Sequence, residues 1–306
     1  MRVFRGHSRP VPEPVVLAIG NFDGVHRGHA ALLARLQAAA QRYSAPATVL
    51  TFEPHPREFF APQAAPARLS TLREKLELLA QEGVAQTMVC PFNAAFAALS
   101  ADAFVREVLV RALQVRHVIV GDDFRFGRGR TGDFAFLQAA GERHGFTVEA
   151  IGSVQLNDDR VSSSGVRRAL AEGDMARAAA LLGRPYTMDG QVAHGQKLGR
   201  QLGFATANLR IKHNPLPMTG VFAVAVDGLG PEPLPGVANL GIRPTVGGTR
   251  PLLEVHLFNF NRDIYGAHIA VRFLQKLRDE QRFPNFDALK AQIAADAAAA
   301  RAFFKL

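Results

Sequence analysis

Two histidines three residues apart form the pattern in this chain that most clearly indicates chemical function. His26 and His29 end the run Gly20-Asn21-Phe22-Asp23-Gly24-Val25-His26-Arg27-Gly28-His29. The apolar segment 15–19 before this run predicts a buried strand of a parallel sheet, and the spacing over 30–42 predicts an amphipathic helix. The free N–H groups and the positive dipole end of that helix favour an anion, and imidazole adds further N–H donors. The turn therefore predicts a nucleotide-phosphate site.

A metal site and a pair of ordinary polar surface residues are the alternatives for the two histidines. A metal site would need a third ligand and supporting partners, and no His/Cys cluster stands nearby in the sequence. The complete run resembles the HxGH motif of the nucleotidylyltransferase superfamily, in the Phe-Asp-Gly version of its flavin adenylyltransferase branch. The resemblance implies that the phosphoryl group is stabilised by His26 and His29, and that the nucleotide is bound by Gly20, Asn21, Phe22, Asp23, Gly24, His26 and His29.

Strand and helix patterns alternate through the first half of the chain. Strands are predicted at 15–19, 48–52, 87–89, 117–120 and 147–151, with helices at 30–42, 71–81, 101–112 and 134–144. This order predicts an α/β doubly wound parallel sheet, which binds its ligands beyond the carboxyl ends of its strands. We expect this first domain to span residues 1–184.

Two further segments follow strands of this predicted sheet. Phe52-Glu53-Pro54-His55-Pro56 predicts a loop held extended by its prolines, and Gly121 to Gly127 carries two adjacent acids. Ordinary surface turns are the alternative for both. They resemble the Phe-x-Pro-His-Pro and Val-Gly-x-Asp-Phe-x-Phe-Gly motifs of the same family. The resemblance implies that Asp123 binds the nucleotide and that the flavin is bound by Phe52, Pro54, His55, Pro56, Asp122 and Phe126.

Three consecutive serines open the next predicted helix, which we expect to run to about Leu182. The segment Val161 to Arg167 offers either a simple helix cap with spare hydroxyls or a set of phosphate donors placed opposite the histidine turn. It resembles the family pattern Ile-Ser-Ser-Thr-x-Ile-Arg, with serine in place of threonine. The resemblance implies nucleotide binding by Ser162, Ser163, Ser164 and Arg167.

The second half alternates apolar and polar residues between Gly/Pro turns. Strand patterns at 220–226, 253–258 and 268–273 predict a small antiparallel β-barrel or sandwich over residues 185–306, closed by a C-terminal helix at 286–304. The glycine-rich stretch 194–208 opens this half. Its cations suit phosphates, and Thr206 and Asn208 offer two oxygen atoms on one side of an extended segment, which suits Mg²⁺.

This stretch closely resembles the riboflavin kinase signature Gly-x-x-x-Gly-Arg-x-Leu-Gly-Phe-Pro-Thr-Ala-Asn, with Ala205 in place of the proline. The substitution puts metal affinity in question, because it loosens the segment without removing a ligand. The resemblance implies that Mg²⁺ is held by Thr206 and Asn208, and that the ATP of the kinase is bound by Gly195, Lys197, Gly199, Arg200, Thr206 and Asn208.

A single acid in the second half has the pattern of a general base. The alternation in Leu253-Glu254-Val255-His256-Leu257 places Glu254 and His256 on the face opposite the leucines. A solvent-facing acid on a barrel strand is the alternative. The segment resembles the Leu-Glu-x-His of riboflavin kinases, which implies that Glu254 is the base. Asn239 to Thr245 also matches the family, and the segment from Phe273 to Phe283 implies flavin contacts by Arg278, Glu280 and Phe283.

Taken together, the chain resembles the bacterial bifunctional riboflavin kinase/FMN adenylyltransferase (FAD synthetase) family. The resemblance implies phosphorylation of riboflavin to FMN, then adenylylation of FMN to FAD with release of pyrophosphate. ATP is the co-substrate of both steps, Mg²⁺ is the cofactor, and ADP is the product of the first step. Two alternatives remain: a nucleotidylyltransferase for another substrate with a binding-only barrel, and a basic RNA-binding regulator that has kept the fold.

Composition agrees with a cytoplasmic enzyme. The 306 residues carry a net charge of +9, which raises nucleic-acid binding as a rival function. The cations are spread along the chain without a Lys/Arg block, so we favour attraction of phosphorylated small molecules and expect no nucleic-acid partner. No segment predicts a signal peptide or a membrane span, and the single Cys90 excludes a disulfide framework. The oligomeric state is not predicted.

Overall fold

The computed structural model describes residues 1–156, 159–194, 204–245 and 248–306, with the side chains of 243–245 and 248–250 outside the description. The chain forms two compact units. Met1–Pro66 and Lys75–Val161 make up the first, and Ala67–Glu74 and Ser162–Leu306 make up the second. The expected domain boundary after residue 184 stays a prediction.

The first unit is built on a six-stranded sheet in which every pair of neighbours is parallel. Its strand order is β1-β4-β3-β2-β5-β6. The strands are β1 (Arg2–Arg5), β2 (Val16–Ile19), β3 (Ala47–Glu53), β4 (Gln86–Pro91), β5 (His117–Gly121) and β6 (Thr147–Ile151). After them, β7 (Gln155–Leu156) and β8 (Asp159–Arg160) form a separate antiparallel pair. The five predicted strands and the parallel α/β class are confirmed. The edge strand β1 was not predicted, because its mostly exposed residues leave no apolar signal.

Helices connect the strands of this sheet. They are α1 (Arg27–Tyr43), α2 (Pro56–Phe60), α3 (Leu72–Gln81), α4 (Ala94–Ala97), α5 (Ala101–Phe104) and α6 (Phe134–His144), and α5 continues as a π-helical stretch over Val105–Ala112. The central strand β2 is buried along its whole length. Leu17 and Ile19 pack on one side of the sheet, and Val16 and Ala18 pack on the other, which confirms a strand covered on both faces.

The part of the second unit that starts at Ser162 opens with two helices where one was predicted. The pattern over 167–182 predicted a single helix, but α7 spans Ser163–Glu172 and α8 spans Met175–Leu182. The prediction was wrong because Gly173 ends α7 in the left-handed conformation (φ 79°) and Asp174 caps α8 by accepting the Arg177 N–H at 2.8 Å. A glycine stop followed by an aspartate cap outweighs the continuous apolar stripe.

A closed six-stranded antiparallel barrel follows these two helices. Its order is β10-β13-β12-β11-β14-β9, and its strands are β9 (Tyr186–Ala193), β10 (Ala207–Arg210), β11 (Gly220–Asp227), β12 (Leu234–Thr245), β13 (Gly248–Leu257) and β14 (His268–Arg278). The C-terminal helix α9 (Phe286–Phe304) packs Ala297 and Ala300 against the barrel residues Val221 and Ala223. Of the two predicted architectures, the barrel is confirmed. In the described part of the chain, no helix is long and apolar enough to cross a membrane.

Candidate active sites

The two histidines of the first unit cap the start of α1 reciprocally. His26 is the N-cap residue, and its Nδ1 accepts the backbone N–H of His29 at 3.3 Å. In return, the Nδ1 of His29 accepts the backbone N–H of His26 at 3.3 Å. The two rings stack with their centroids 3.7 Å apart. This is a capping box in which imidazoles take the places of the usual Ser/Thr and Glu/Gln side chains.

The reciprocal cap fixes which nitrogen of each ring carries a proton. Because a backbone N–H can only donate, the Nδ1 of His26 and of His29 must accept, so the Nε2 of each neutral ring carries the hydrogen. His55 repeats this arrangement at the start of α2, where its Nδ1 accepts the Arg57 N–H at 3.1 Å. Three histidines are thus set as Nε2–H donors, the chemistry that phosphate oxygens require.

The backbone that leads to this cap is strained. Phe22 and Val25 adopt positive φ angles of 49° and 40°, which β-branched and bulky residues rarely do. Phe22 is fully buried, and its ring centroid lies 5.0 Å from that of His29. A Cβ atom at residue 28 would lie 3.1 Å from the His26 ring, so the glycine there lets the ring rest against the backbone. The cap, the Phe22 ring and the close backbone at residue 28 together hold both imidazole rings in fixed positions.

The proline-flanked loop after β3 is shorter than predicted. We expected an extended loop through Pro56, but helix α2 begins at Pro56. The expectation was wrong because proline at the first helical position has the required φ and gives up only an N–H that would be unbonded there. His55 itself is extended, as expected. Phe52 lies close by in sequence and packs its ring against Phe92 and Phe96.

The acidic pair after β5 lies at the carboxyl end of the sheet, as predicted. Asp123 accepts a hydrogen bond from Arg160 Nη2 at 2.7 Å, and both side chains are more than half exposed. Asp122 accepts a long hydrogen bond of 3.5 Å from the Ser153 hydroxyl. Phe126 is buried, and its ring packs against those of Phe104, Phe124 and Phe136. Its immediate surroundings are therefore those of a core residue.

The serine segment lies at the start of α7 in the second unit. Ser162 is the N-cap residue and its hydroxyl accepts the Gly165 N–H at 3.1 Å, which leaves Ser163 and Ser164 in the first helical turn. Arg167 Nε donates to the Ala67 carbonyl oxygen at 2.6 Å within the same unit. The helix start that the sequence predicted is therefore confirmed.

Strand register brings three polar residues of the barrel into one row. In the antiparallel ladders, Glu254 on β13 lies directly opposite Asn208 on β10 and directly opposite Asn239 on β12. Side chains that are paired in this way share one face of the sheet. The neighbours Leu253 and Val255 point to the buried core, as the alternation predicted.

The segment before β10 is held by a histidine of β13. His256 Nδ1 lies 2.8 Å from the Ala205 carbonyl oxygen, and since a carbonyl can only accept, Nδ1 carries the proton. The His256 ring also meets Phe204 edge-on at 5.3 Å. Thr206 and Asn208 are both half-buried, and Ala207 between them is buried, so the two oxygen-bearing side chains share a side.

The segment Arg278–Phe283 joins β14 to α9, and we call it the strap. Arg278 makes a two-pronged ion pair with Asp296 of α9, and its guanidinium lies 5.7 Å from the Phe283 ring centroid. Glu280 accepts a hydrogen bond from the Asn239 side chain. Burial raises the pKa of Glu280, and the Arg278 charge and the Asn239 bond offset part of that rise.

The remaining ATP-site predictions for the barrel fall outside the described residues. These are Gly195, Lys197, Gly199 and Arg200. Within the described ranges, no group of three or more His, Cys, Asp or Glu side chains could hold a metal ion. The hydroxyl of Thr206 and the amide oxygen of Asn208 are donors of a different kind. Both are hard oxygen ligands, and these two residues fit Mg²⁺.

Comparison with protein families matches both halves of the chain. The FAD synthetase family matches residues 8–165, and the riboflavin kinase family matches residues 182–304. The bifunctional riboflavin kinase/FMN adenylyltransferase of Escherichia coli (strain K12) is 50% identical over 309 residues, which cover 100% of this chain and 99% of that protein. This chain belongs to the bifunctional riboflavin kinase/FMN adenylyltransferase family. It accordingly has both activities, and it uses ATP in both.

Further relatives support this family. The Pseudomonas fluorescens member is 52% identical over 305 residues and covers 99% of this chain and 97% of its own. Among solved structures, a Streptococcus pneumoniae chain described as a macrolide-efflux protein superposes with a TM-score of 0.85. It is 28% identical and covers 98% of this chain and 99% of its own. That similarity extends over both folds of this family member.

Sequence reasoning missed three residues that the structure brings to the candidate kinase site. Asn239 was noted only as part of a matching segment, His256 only as sharing a face with Glu254, and Asp296 not at all. Asn239 and His256 can be found once the register of β13 with β10 and β12 is known, because the register shows which residues lie opposite each other. Asp296 could be suspected as an acid inside the alanine-rich helix of the riboflavin kinase region, flanked by residues that face the barrel.

Proposed function

We propose that the two activities are divided between the two folds, with adenylylation of FMN at the histidine turn and phosphorylation of riboflavin on the barrel. The observation that carries this division is the placement of the two motif sets. His26 and His29 lie in the first compact unit, whereas Asn208 and Glu254 lie in the second. The reciprocal cap joins two residues of the first unit, and the ladder pair joins two residues of the second, so each unit has its own means of handling phosphates or protons.

For adenylylation, a phosphate oxygen of FMN attacks the α-phosphorus of ATP, and pyrophosphate leaves. Protein nucleophiles are not required, because the FMN phosphate is itself the nucleophile. The Nε2–H groups of His26 and His29 donate to the oxygens on which charge develops, and their fixed orientation avoids reorganisation during the reaction. Nucleotide contacts are assigned by the family resemblance to Gly20, Asn21, Phe22, Asp23, Gly24, Asp123, Ser162, Ser163, Ser164 and Arg167.

The flavin of this step is assigned to the loops after β3 and β5. His55 supports the assignment, because its cap on α2 uses Nδ1 as the acceptor and so sets Nε2 as the nitrogen that carries the hydrogen. The remaining contacts are assigned by resemblance to Phe52, Pro54, Asp122 and Phe126. Phe126 contributes as a packed wall from the core rather than as a mobile contact, since Phe104 and Phe136 surround its ring.

For phosphorylation, Glu254 removes the proton of the riboflavin 5′-hydroxyl, which attacks the γ-phosphorus of ATP and releases ADP. Thr206 and Asn208 would hold Mg²⁺, which when bound neutralises charge on the ATP phosphates. Asn208 supports this role because it lies directly across the ladder from Glu254. Gly195, Lys197, Gly199 and Arg200 are assigned to ATP, and Arg278, Glu280 and Phe283 to the flavin, by the family resemblance.

The division can be tested with two single variants and two starting flavins. Purified protein is incubated with Mg²⁺, ATP and either riboflavin or FMN, and FMN and FAD are followed by chromatography. We expect His29→Ala to convert riboflavin to FMN and stop there. We expect Glu254→Ala to lose riboflavin phosphorylation by about 10²–10⁴-fold and still convert added FMN to FAD, because a general base acts only in the first step.

Glu254→Gln is the matched control for Glu254→Ala, because the amide keeps the size and shape of the side chain while it removes the negative charge and the basicity. We expect it to be as inactive toward riboflavin as the alanine variant. Equal loss of both steps in His29→Ala and in Glu254→Ala would show that the two activities are not divided in this way.

A further inference from the structure

Every nitrogen of the Arg278 guanidinium donates a hydrogen bond to a protein group. Its Nε and Nη2 donate to the two carboxylate oxygens of Asp296 at 2.8 and 2.7 Å, and its Nη1 donates to the Asp279 carbonyl at 2.9 Å. Its Cζ lies over the ring of Phe283, 5.7 Å from the ring centroid. Each nitrogen of Arg278 therefore makes a bond that helps to hold the strap, although the family resemblance assigns this residue to the flavin.

Asp296 is a buried charge on an otherwise small-residue helix face. It is 7% exposed, and its neighbours Ala297 and Ala300 face the barrel. Gln292, one turn earlier, donates to its Oδ1 at 2.9 Å. The carboxylate is thus oriented by its own helix before it meets Arg278, and the pair has the two-pronged geometry that gives directional control.

A second contact fixes the other half of the strap. The carboxylate of Glu280 lies against the backbone of Gly241, where any Cβ atom would overlap it, and it accepts a hydrogen bond from Asn239. Asn239 in turn lies opposite Glu254 in the ladder. The strap is therefore attached to α9 at Arg278 and to β12 at Glu280, and its Glu280 end adjoins the row that holds the proposed base.

We propose that Asp296 is a positioning residue for riboflavin phosphorylation, which acts through Arg278 to hold the strap where it receives the flavin ring. This proposal rests on the proposed flavin role of the strap. It changes the role of Arg278, which orients Phe283 and the backbone of the strap while its guanidinium stays on Asp296. Asp296 itself touches neither the flavin nor ATP.

Stability alone is a weak reason for this ion pair. Removing two charges from water is costly, and replacing a buried pair by apolar residues of similar volume is often neutral or stabilising. An apolar contact would hold α9 on the barrel equally well, but it would not fix the direction of a side chain. The two-pronged pair fixes that direction, and so it constrains the strap.

The test measures steady-state riboflavin phosphorylation by the full-length Asp296→Asn variant. We expect the KM for riboflavin to rise at least about tenfold, with kcat at saturating riboflavin within about twofold of the parent. Conversion of added FMN to FAD is expected to be unchanged. Asp287→Asn is the matched control, because Asp287 is an exposed acid on the same helix, and its KM for riboflavin is expected to match that of the parent.

A paired replacement separates positioning from folding. The variant R278M/D296L fills the same space with apolar side chains, and we expect thermal stability near that of the parent together with a raised KM for riboflavin. Recovery of both stability and the parent KM would overturn the proposal, as would a parent-like KM in D296N. If D296N does not fold, the paired variant decides alone, and a pair that also fails to fold counts against the proposal.

Phe283→Ala distinguishes a failure of this proposal from a failure of the proposed function. A raised KM for riboflavin in Phe283→Ala with a normal KM in D296N would keep the strap as the flavin site and reject the role of Asp296. A normal KM in both variants would remove the strap from the flavin site altogether.

Discussion

The two candidate sites of this enzyme are built by opposite means. In the first unit, His26 and His29 are three residues apart, and backbone hydrogen bonds within one helical turn orient both rings. In the barrel, Asn208, Asn239 and Glu254 come from three strands, and only the ladder register aligns them. The first site depends on helix capping, and the second depends on which residues face each other across strands.

This difference predicts different sensitivities. A local cap survives as long as its own helix forms, so its chemistry can be altered by side-chain exchange without disturbing the fold. A cross-strand row depends on register, and a slip of one residue would turn Glu254 into the barrel core and expose Val255. The histidine site should therefore separate cleanly into a structural and a chemical role, whereas the barrel site should respond to changes in neighbouring contacts.

The largest expected effect comes from removing the Nε2–H donors while keeping the cap. The double variant H26S/H29Q restores an ordinary capping box, because serine and glutamine can accept the same two backbone N–H groups. We expect conversion of FMN to FAD to fall by about 10²–10³-fold or more, as for loss of a preorganised donor, and riboflavin phosphorylation to stay at the parent rate. Both rates are measured by chromatography of reaction samples quenched at fixed times.

The alanine pair H26A/H29A serves as its control. It removes the cap as well as the donors, so we expect the same loss of FAD synthesis together with a destabilisation of about 1–2 kcal/mol. If H26S/H29Q retained full FAD synthesis, the imidazoles would be structural caps and the local site would lose its chemical role.

Glu74 combines a local helix cap with contacts to residues distant in the sequence. Its replacement is expected to have the next largest effect, on the free energy of unfolding. It accepts the Thr71 N–H at 2.7 Å as a local cap of α3, and it also accepts the distant Asp189 N–H at 2.9 Å and lies 3.2 Å from His213 Nε2. Burial alone would raise the pKa of Glu74, but the interactions with His213 and Asp189 outweigh it and lower the pKa to about 2. We expect Glu74→Gln to cost about 2–3 kcal/mol of unfolding free energy at pH 7.

The pH dependence follows from the direction of that shift. Because the pKa is lowered in the folded state, the stabilisation is fully present above the ordinary value near 4.5 and is lost as the pH falls toward 2. Urea unfolding of the parent and Glu74→Gln at pH 7, 5, 4 and 3 should show a gap that narrows below about pH 4.5. Glu82→Gln, at an exposed acid just after α3, is the control. A gap that did not change with pH would assign the loss to packing.

The smallest effect tests whether the barrel site responds through a neighbour. His256→Ala removes the bond from Nδ1 to the Ala205 carbonyl, and we expect the KM for Mg·ATP in riboflavin phosphorylation to rise about fivefold, since one hydrogen bond contributes about 1 kcal/mol. His256→Asn places an amide N–H near the position of Nδ1 and should recover most of the affinity. If both variants were equally impaired, the ring contact with Phe204 would be the cause, and the carbonyl bond would not matter.

The sequence by itself determined the features that depend on near neighbours. Five of the six strands of the parallel sheet, the helix starts at Ser163 and Phe286, and the alternation around Glu254 follow from periodicity and capping, which act over a few residues. The prediction of a single helix over 167–182 was wrong because the apolar stripe continues across the break at Gly173-Asp174. The prediction of an extended loop around His55 was wrong because proline is compatible with the first turn of a helix as well as with an extended chain.

Only the tertiary structure decided which distant residues meet. The position of Asn239 beside Glu254, the bond from His256 to Ala205, and the pairing of Arg278 with Asp296 join segments that no local pattern connects. Strand register and helix docking are fixed by burial summed over a whole barrel, because each buried side chain contributes to one common core. Motifs could therefore predict which chemistry the chain carries, but the packing of the barrel determines which side chains stand close enough to assist it.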